Sequence, residues 1–174
     1  MKTLTDQLSQ YAAYHRDRRN VATHFVGIPM IVVALAVLLS RPASTLGVLP
    51  LAISPAWLLF GAATIYYLLL DLPLGAAMLV LSAACVAFGH WAASLSTVAW
   101  AGTGLGLFLV GWVFQFVGHI AYEHRKPAFV DDIVGLLIGP LFVLAEALFG
   151  LGWRPGLREA IERRSEATPA GGGR

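Results

Sequence analysis

Residues 21–40 read VATHFVGIPMIVVALAVLLS, twenty positions without one Asp, Glu, Lys or Arg. About 20 apolar residues in a helix cover the ~30 Å of bilayer hydrocarbon. This stretch is long enough, despite Gly27 and Pro29. Outward from it the pattern repeats. Ala56–Leu70, Leu74–Ala92 and Val98–Tyr122 read as three further spans. They are set off by a loop opening at Arg41-Pro42 and holding Pro50 and Pro55, by the Asp71-Leu72-Pro73 turn, and by Ser94–Thr97. Of 22 charged residues, six lie in residues 1–20, fourteen in residues 122–174, and only Arg41 and Asp71 between. A soluble domain carries charge over its whole surface. A chain 57% hydrophobic and 13% charged, with its charge at the two ends, excludes a soluble globular fold. It predicts an all-α, multi-pass transmembrane helical bundle.

The ends complete the topology. Leu4, Leu8, Tyr11 and Ala12 recur at helical spacing within residues 1–20, predicting a short amphipathic helix on the membrane surface. Asn20 is expected to N-cap the first span, its side-chain oxygen accepting an orphan backbone N–H. That span reads as retained rather than as a signal peptide, because it is long, carries His24 and Pro29, and lacks a persuasive small-x-small cleavage site. Arg16, Arg18 and Arg19 place the N-terminus in the cytosol, and four spans return Arg125 and Lys126 to the same side. A fifth crossing, through the irregular apolar stretch Phe129–Trp153 with Asp131, Asp132, Pro140 and Glu146, would export Arg154, Arg158, Arg163 and Arg164. The expectation is therefore four spans plus a re-entrant or interfacial C-terminal helical segment. Residues 1–153 form a single membrane-embedded domain, and residues 154–174 a disordered cytosolic tail. Both termini are cytosolic, in a bacterial inner membrane or, for a eukaryotic chain, the endoplasmic reticulum. The lone Cys85 reads as a small core residue, and a net charge of +2 gives no reason to expect nucleic acid.

This topology gathers polar groups from opposite ends of the sequence at one membrane depth: His15, Asn20, His24, Asp71, Gln115, His119, Glu123 and Arg125. Gln115, His119 and Glu123 are four apart, each step advancing about 40° around a helix, so they form one narrow polar stripe. Such a stripe serves equally to hydrogen-bond a neighbouring helix. His15 and His24 are nine apart and would face opposite ways on a continuous helix. They meet only if the Arg-Asp-Arg-Arg-Asn segment turns the chain. Three imidazoles and a carboxylate at a common depth suit one divalent metal. Imidazole binds Zn, Cu, Fe and Ni, and histidine-plus-carboxylate sets with open positions are typical of non-haem Fe(II) oxygenases. Five histidines are too few for a clustered di-iron site. His90 falls toward the other face.

Two signatures carry a resemblance. One is Tyr14-His15-Arg16-Asp17-Arg18-Arg19-Asn20, with His24 and Gly27-Ile28-Pro29. The other is Gly111-Trp112-Val113-Phe114-Gln115-Phe116-Val117-Gly118-His119, with Glu123 and Pro127-Ala128. Looser similarity runs through Tyr66-Tyr67 to Asp71 and Gly139-Pro140-Leu141-Phe142 to Glu146. Over roughly residues 11–150 the chain resembles the membrane 2-hydroxy fatty acid dioxygenases. The resemblance implies an Fe(II)-dependent α-oxidation, in which a lipid-like 2-hydroxy acid and O2 give an acid one carbon shorter. It implies His15, His24 and His119 as the metal's histidines, and the residues themselves suggest Glu123 as a fourth ligand or an orienting partner. His90 and His124 fall outside the signatures. Asn20, Asp71, Gln115, Arg125 and Lys126 are candidate substrate contacts. Arg125 and Lys126 also serve as positive-inside anchors, and buried hydrogen bonding suits Glu146. Two other classes use the same residues differently: a zinc membrane hydrolase of the ceramidase type, and a small transporter or assembly protein needing no metal.

Overall fold

The computed structural model describes residues 2–45, 52–124 and 134–167. These form helices α1 (Leu4–Tyr14), α2 (Arg18–Leu38), α3 (Pro55–Leu70), α4 (Leu72–Ala93), α5 (Thr97–Val117), α6 (Val134–Gly150) and α7 (Pro155–Ala167). A π-helical segment, Gly118–Glu123, prolongs α5. A small antiparallel pair, β1 (Ser44–Thr45) and β2 (Ala52–Ile53), lies between α2 and α3, where the sequence predicts a loop, with Ser44 opposite Ile53.

The chain is an all-α membrane bundle. Helices α2, α4 and α5 with its extension are long and apolar enough to cross a bilayer, while α3 and α6 are apolar but shorter. Helix α3 starts where expected, with Pro55 in its first turn, a position that needs no N–H. Its 16 residues cover about 24 Å, so the second expected span is a full helix but a short one. Leu58, Ile65, Leu69, Val80 and Val98 are exposed, as expected for side chains whose solvent is lipid.

The chain forms two compact units, Met1–Ile28 with Val113–Arg174 and Pro29–Trp112. In the second unit α3 packs on α4, and Ala36, Ala56, Phe60 and Val86 form a buried cluster with Val32, Leu39 and Cys85 against it. Cys85 is thus a packing residue. The two isolated charges both serve helix ends here. Asp71 N-caps α4, accepting the Leu74 N–H at 3.0 Å. Arg41 closes the other end: its Nη2 donates to Ala93 O at 2.6 Å and Leu95 O at 2.7 Å. Its guanidinium lies 4.9 Å from the Trp100 ring centroid. A planar fork that both bonds carbonyls and stacks cannot be replaced by an ammonium. Arg41→Ala is expected to cost about 2 kcal/mol, read as a lower Tm in detergent, and Arg41→Lys to recover little of it.

In the first unit α1 packs against α6 and α7, burying Leu4, Leu8, Tyr11 and Ala13. The expected surface helix is therefore clasped by protein. The charged tail, expected to be disordered, folds from Pro155 to Ala167 as α7. It buries Ile161, carries the i,i+4 pairs Arg158–Glu162 and Arg163–Glu159, and joins α1 through an ion pair between Arg164 and Asp6. Its charge is the solvated face of an amphipathic helix.

Candidate metal centre

All three signature histidines belong to the first unit, and each reaches the centre from a different kind of backbone. His15 follows α1 as its C-cap, with φ −123° and ψ 73°, and the chain turns there before α2 opens at Arg18. Asp17 makes that opening possible by accepting the Arg19 N–H at 2.8 Å, an N-cap bond. The Arg19 side chain also donates to Asp17, pulling its carboxyl down to about 2. The turn between His15 and His24 is thus real, but it falls at residues 15–17. Asn20 consequently lies inside the first turn of α2 rather than capping it, and His24 lies in the second turn.

His119 sits in the π-helical segment. Such segments appear frequently at functional sites, and this one has a local consequence. A π turn closes at i→i+5, so a step of four residues falls short of a full turn instead of overshooting it. Glu123 therefore stands at a different angle to His119 from the one that α-helical spacing predicts. The segment ends at His124, which is exposed and left-handed at φ 53°.

The three rings meet edge to face. His15–His24, His15–His119 and His24–His119 centroids are 4.5, 5.0 and 4.9 Å apart, with interplanar angles of 74°, 66° and 80°. One nitrogen from each lies within 4.8 Å of the others. All three residues are buried, at 5%, 1% and 3% exposure. His15 Nδ1 lies 2.7 Å from Tyr11 O and His24 Nδ1 2.8 Å from Asn20 O. A carbonyl only accepts, so both Nδ1 atoms carry the proton, and in the neutral ring Nε2 keeps the lone pair. Burial, reinforced by His24, pushes His15 well below the usual histidine range, leaving it neutral and able to ligate.

Among the described residues, five buried side-chain polar atoms have no partner: Ser9 Oγ, His15 Nε2, Asn20 Oδ1, Gln115 Nε2 and His119 Nδ1. An unpaired buried polar atom is costly, and two of these belong to the histidine cluster. Three buried imidazoles, two held by carbonyls behind them, fit a divalent metal, since ligating histidines characteristically donate their other N–H to such a partner.

Glu123 is outside the three-nitrogen group. Its Oε1 accepts the Arg16 N–H, and its Oε2 accepts the Asp17 N–H and the Asn20 Nδ2, each at 3.1 Å. It pins the turn that carries His15. Asn20 and Gln115 are buried in the same unit, at 0% and 7% exposure. Asp71 and His90 belong to the second unit, where His90 Nε2 lies 3.4 Å from Ser54 Oγ. Arg125 and Lys126 lie outside the described residues.

Gly118 went unremarked as a site residue beyond its place in the signature. A Cβ there would collide with Thr23 Oγ1 and Asn20 Oδ1, so α2 and the π segment approach at a distance that only glycine permits. Gly118→Ala should cost about 1–3 kcal/mol and reduce retained metal, measured by thermal melting beside metal analysis.

The family described as 2-hydroxy-palmitic acid dioxygenase Mpo1-like matches residues 1–151. The chain belongs to the Mpo1-like family. Among its relatives, the 2-hydroxy-palmitic acid dioxygenase MPO1 of Saccharomyces cerevisiae is 34% identical over 166 residues, 94% of this chain and 90% of that protein. No solved structure matches. The matched Mpo1-like region contains His15, His24, His119 and Glu123.

Proposed function

We propose that this Mpo1-like protein is a membrane dioxygenase that converts a 2-hydroxy fatty acid and O2 into the acid one carbon shorter, using Fe(II) held by His15, His24 and His119. The observation that carries the reading is the buried trio of imidazoles, two of them with an unsatisfied nitrogen, in a chain whose relative is a 2-hydroxy-palmitic acid dioxygenase. Atom balance supports a reaction without a second organic reductant: R–CHOH–CO2H and O2 give R–CO2H, CO2 and H2O.

Bound Fe(II) would supply the one-electron chemistry through which O2 reacts with a closed-shell substrate. The protein's own residues do the rest. A 2-hydroxy acid offers a carboxylate and a neighbouring hydroxyl, a two-point headgroup by which the site would orient its C1–C2 bond. The unpartnered Gln115 Nε2 is a donor suited to an anionic headgroup, and Asn20 Oδ1 an acceptor suited to a hydroxyl. Glu123 keeps the His15 turn in place, and burial excludes water. Arg125 and Lys126 are the candidates for steering the carboxylate, whereas Asp71, an anion that caps α4, is unsuited to that role. The acyl chain lies among apolar helices, so the bilayer delivers the substrate. The basic residues of both ends support a topology with both termini cytosolic, and α6 as a re-entrant or interfacial segment, in a bacterial inner membrane or the endoplasmic reticulum.

Three imidazoles also suit Zn, which keeps a lipid hydrolase as the competing reading. Protein purified anaerobically and assayed for metal and O2 uptake separates the two. Iron near one equivalent, with O2 consumed only when a 2-hydroxy fatty acid is added, is expected. Stoichiometric zinc without O2 consumption would overturn the dioxygenase reading.

A further inference from the structure

His15 differs from its two partners in the backbone that carries it. His24 and His119 ride on helical segments, whereas His15 stands on a C-cap turn. The bond from its Nδ1 to Tyr11 O, 2.7 Å long, decides which nitrogen is protonated. A single hydrogen bond still allows the ring to pivot about it.

Tyr11, one helical turn earlier on α1, removes that freedom. Its ring stacks on the His15 imidazole with centroids 4.1 Å apart and planes within 10°. The Tyr11 ring is itself held from α6. Phe142 stands 4.8 Å from Tyr11 and 6.2 Å from His15, ring to ring. At the hydroxyl end, a Cβ on Gly139 would lie 3.1 Å from Tyr11 Oη and 3.1 Å from Ile28 Cδ1. The absence of a side chain at Gly139 thus sets how far the phenol extends toward α6. Tyr11 is buried, at 8% exposure, and nothing in the ligand set requires an aromatic there.

We propose that Tyr11 is a positioning residue for the metal: its ring fixes the plane of the His15 imidazole so that Nε2 faces His24 and His119, and α6 holds that ring through Phe142 and Gly139. The proposal rests on the three histidines being metal ligands, and it adds a support that reaches the centre from the C-terminal part of the chain. Supports behind a ligand typically change metal affinity about 10–100-fold when removed.

The test uses the full chain in detergent, titrated anaerobically with Co(II), whose visible bands report ligand number and geometry without turnover. Tyr11→Phe keeps the stacked ring and is expected to keep wild-type affinity and bands. Tyr11→Leu should bind roughly 10–100-fold more weakly with shifted bands, at unchanged helical circular dichroism. Gly139→Ala touches no ligand and should shift the same bands by pushing on the phenol. Should Tyr11→Leu not fold, Gly139→Ala decides alone. Wild-type affinity and bands in Tyr11→Leu, or unshifted bands in a folded Gly139→Ala, would overturn the positioning role while leaving the metal site intact. No Co(II) uptake by the wild type would overturn the three-histidine reading and this proposal with it.

Discussion

His119→Ala is expected to retain no iron and to form no shortened acid from a 2-hydroxy fatty acid, with His24→Ala behaving alike. The reason lies in what each imidazole contributes. The three nitrogens lie within 4.8 Å of one another on two helical segments and a turn, and an alanine at any corner leaves a two-nitrogen site. Losing a partner behind a ligand costs about 10–100-fold in affinity, so losing the ligand should exceed ~100-fold. His119 Nδ1 has no hydrogen-bond partner, so an alanine there does not break a bond at that atom. The variant should therefore stay folded. His90→Ala is the matching control, since His90 belongs to the other unit with Ser54 and Trp57 beside it, and its iron content should equal that of the wild type.

Glu123→Ala should have the next largest effect, and of a different kind. Its carboxylate accepts two backbone N–H groups and the Asn20 amide. Each hydrogen bond to a charged acceptor contributes roughly 1.5–3 kcal/mol. Removing all three frees the turn that carries His15. Metal affinity is expected to fall roughly 10–100-fold, with the His15 contribution to the metal's spectrum lost and that of His24 and His119 kept. Glu123→Gln keeps one acceptor oxygen and should fall between the two. Were Glu123 a fourth ligand instead, Glu123→Ala would alter the metal's oxygen coordination while leaving the His15 turn as protected from amide exchange as before.

These expectations show which parts of the molecule were legible from residue order. Hydropathy and the Asp71-Leu72-Pro73 turn located α2 to α5 to within a few residues, because lipid imposes a length and a lack of charge on any spanning helix. The gathering of His15, His24 and His119 followed from topology and the two signatures, and the structure brings the three together. What escaped notice depends on tertiary contacts. The π segment at Gly118–Glu123 has no propensity signature, yet it sets the angle between His119 and Glu123. Asn20 has the residue type of an N-cap, but Asp17 takes the cap and places Asn20 under Glu123. The tail read as disordered because its charge was counted without its periodicity. Leu157 and Ile161, four apart, mark the face by which such a helix docks. Tyr11 was counted only as an apolar position, although its place four residues before His15 is the spacing at which helical neighbours touch.

The most direct test of the central claim is mass spectrometry of a 2-hydroxy fatty acid incubated with the purified protein, Fe(II) and isotopically labelled dioxygen. The expected product is an acid one carbon shorter that carries label from dioxygen and is absent with His119→Ala. Unconsumed substrate in the presence of bound iron, or the same product from His119→Ala, would contradict it.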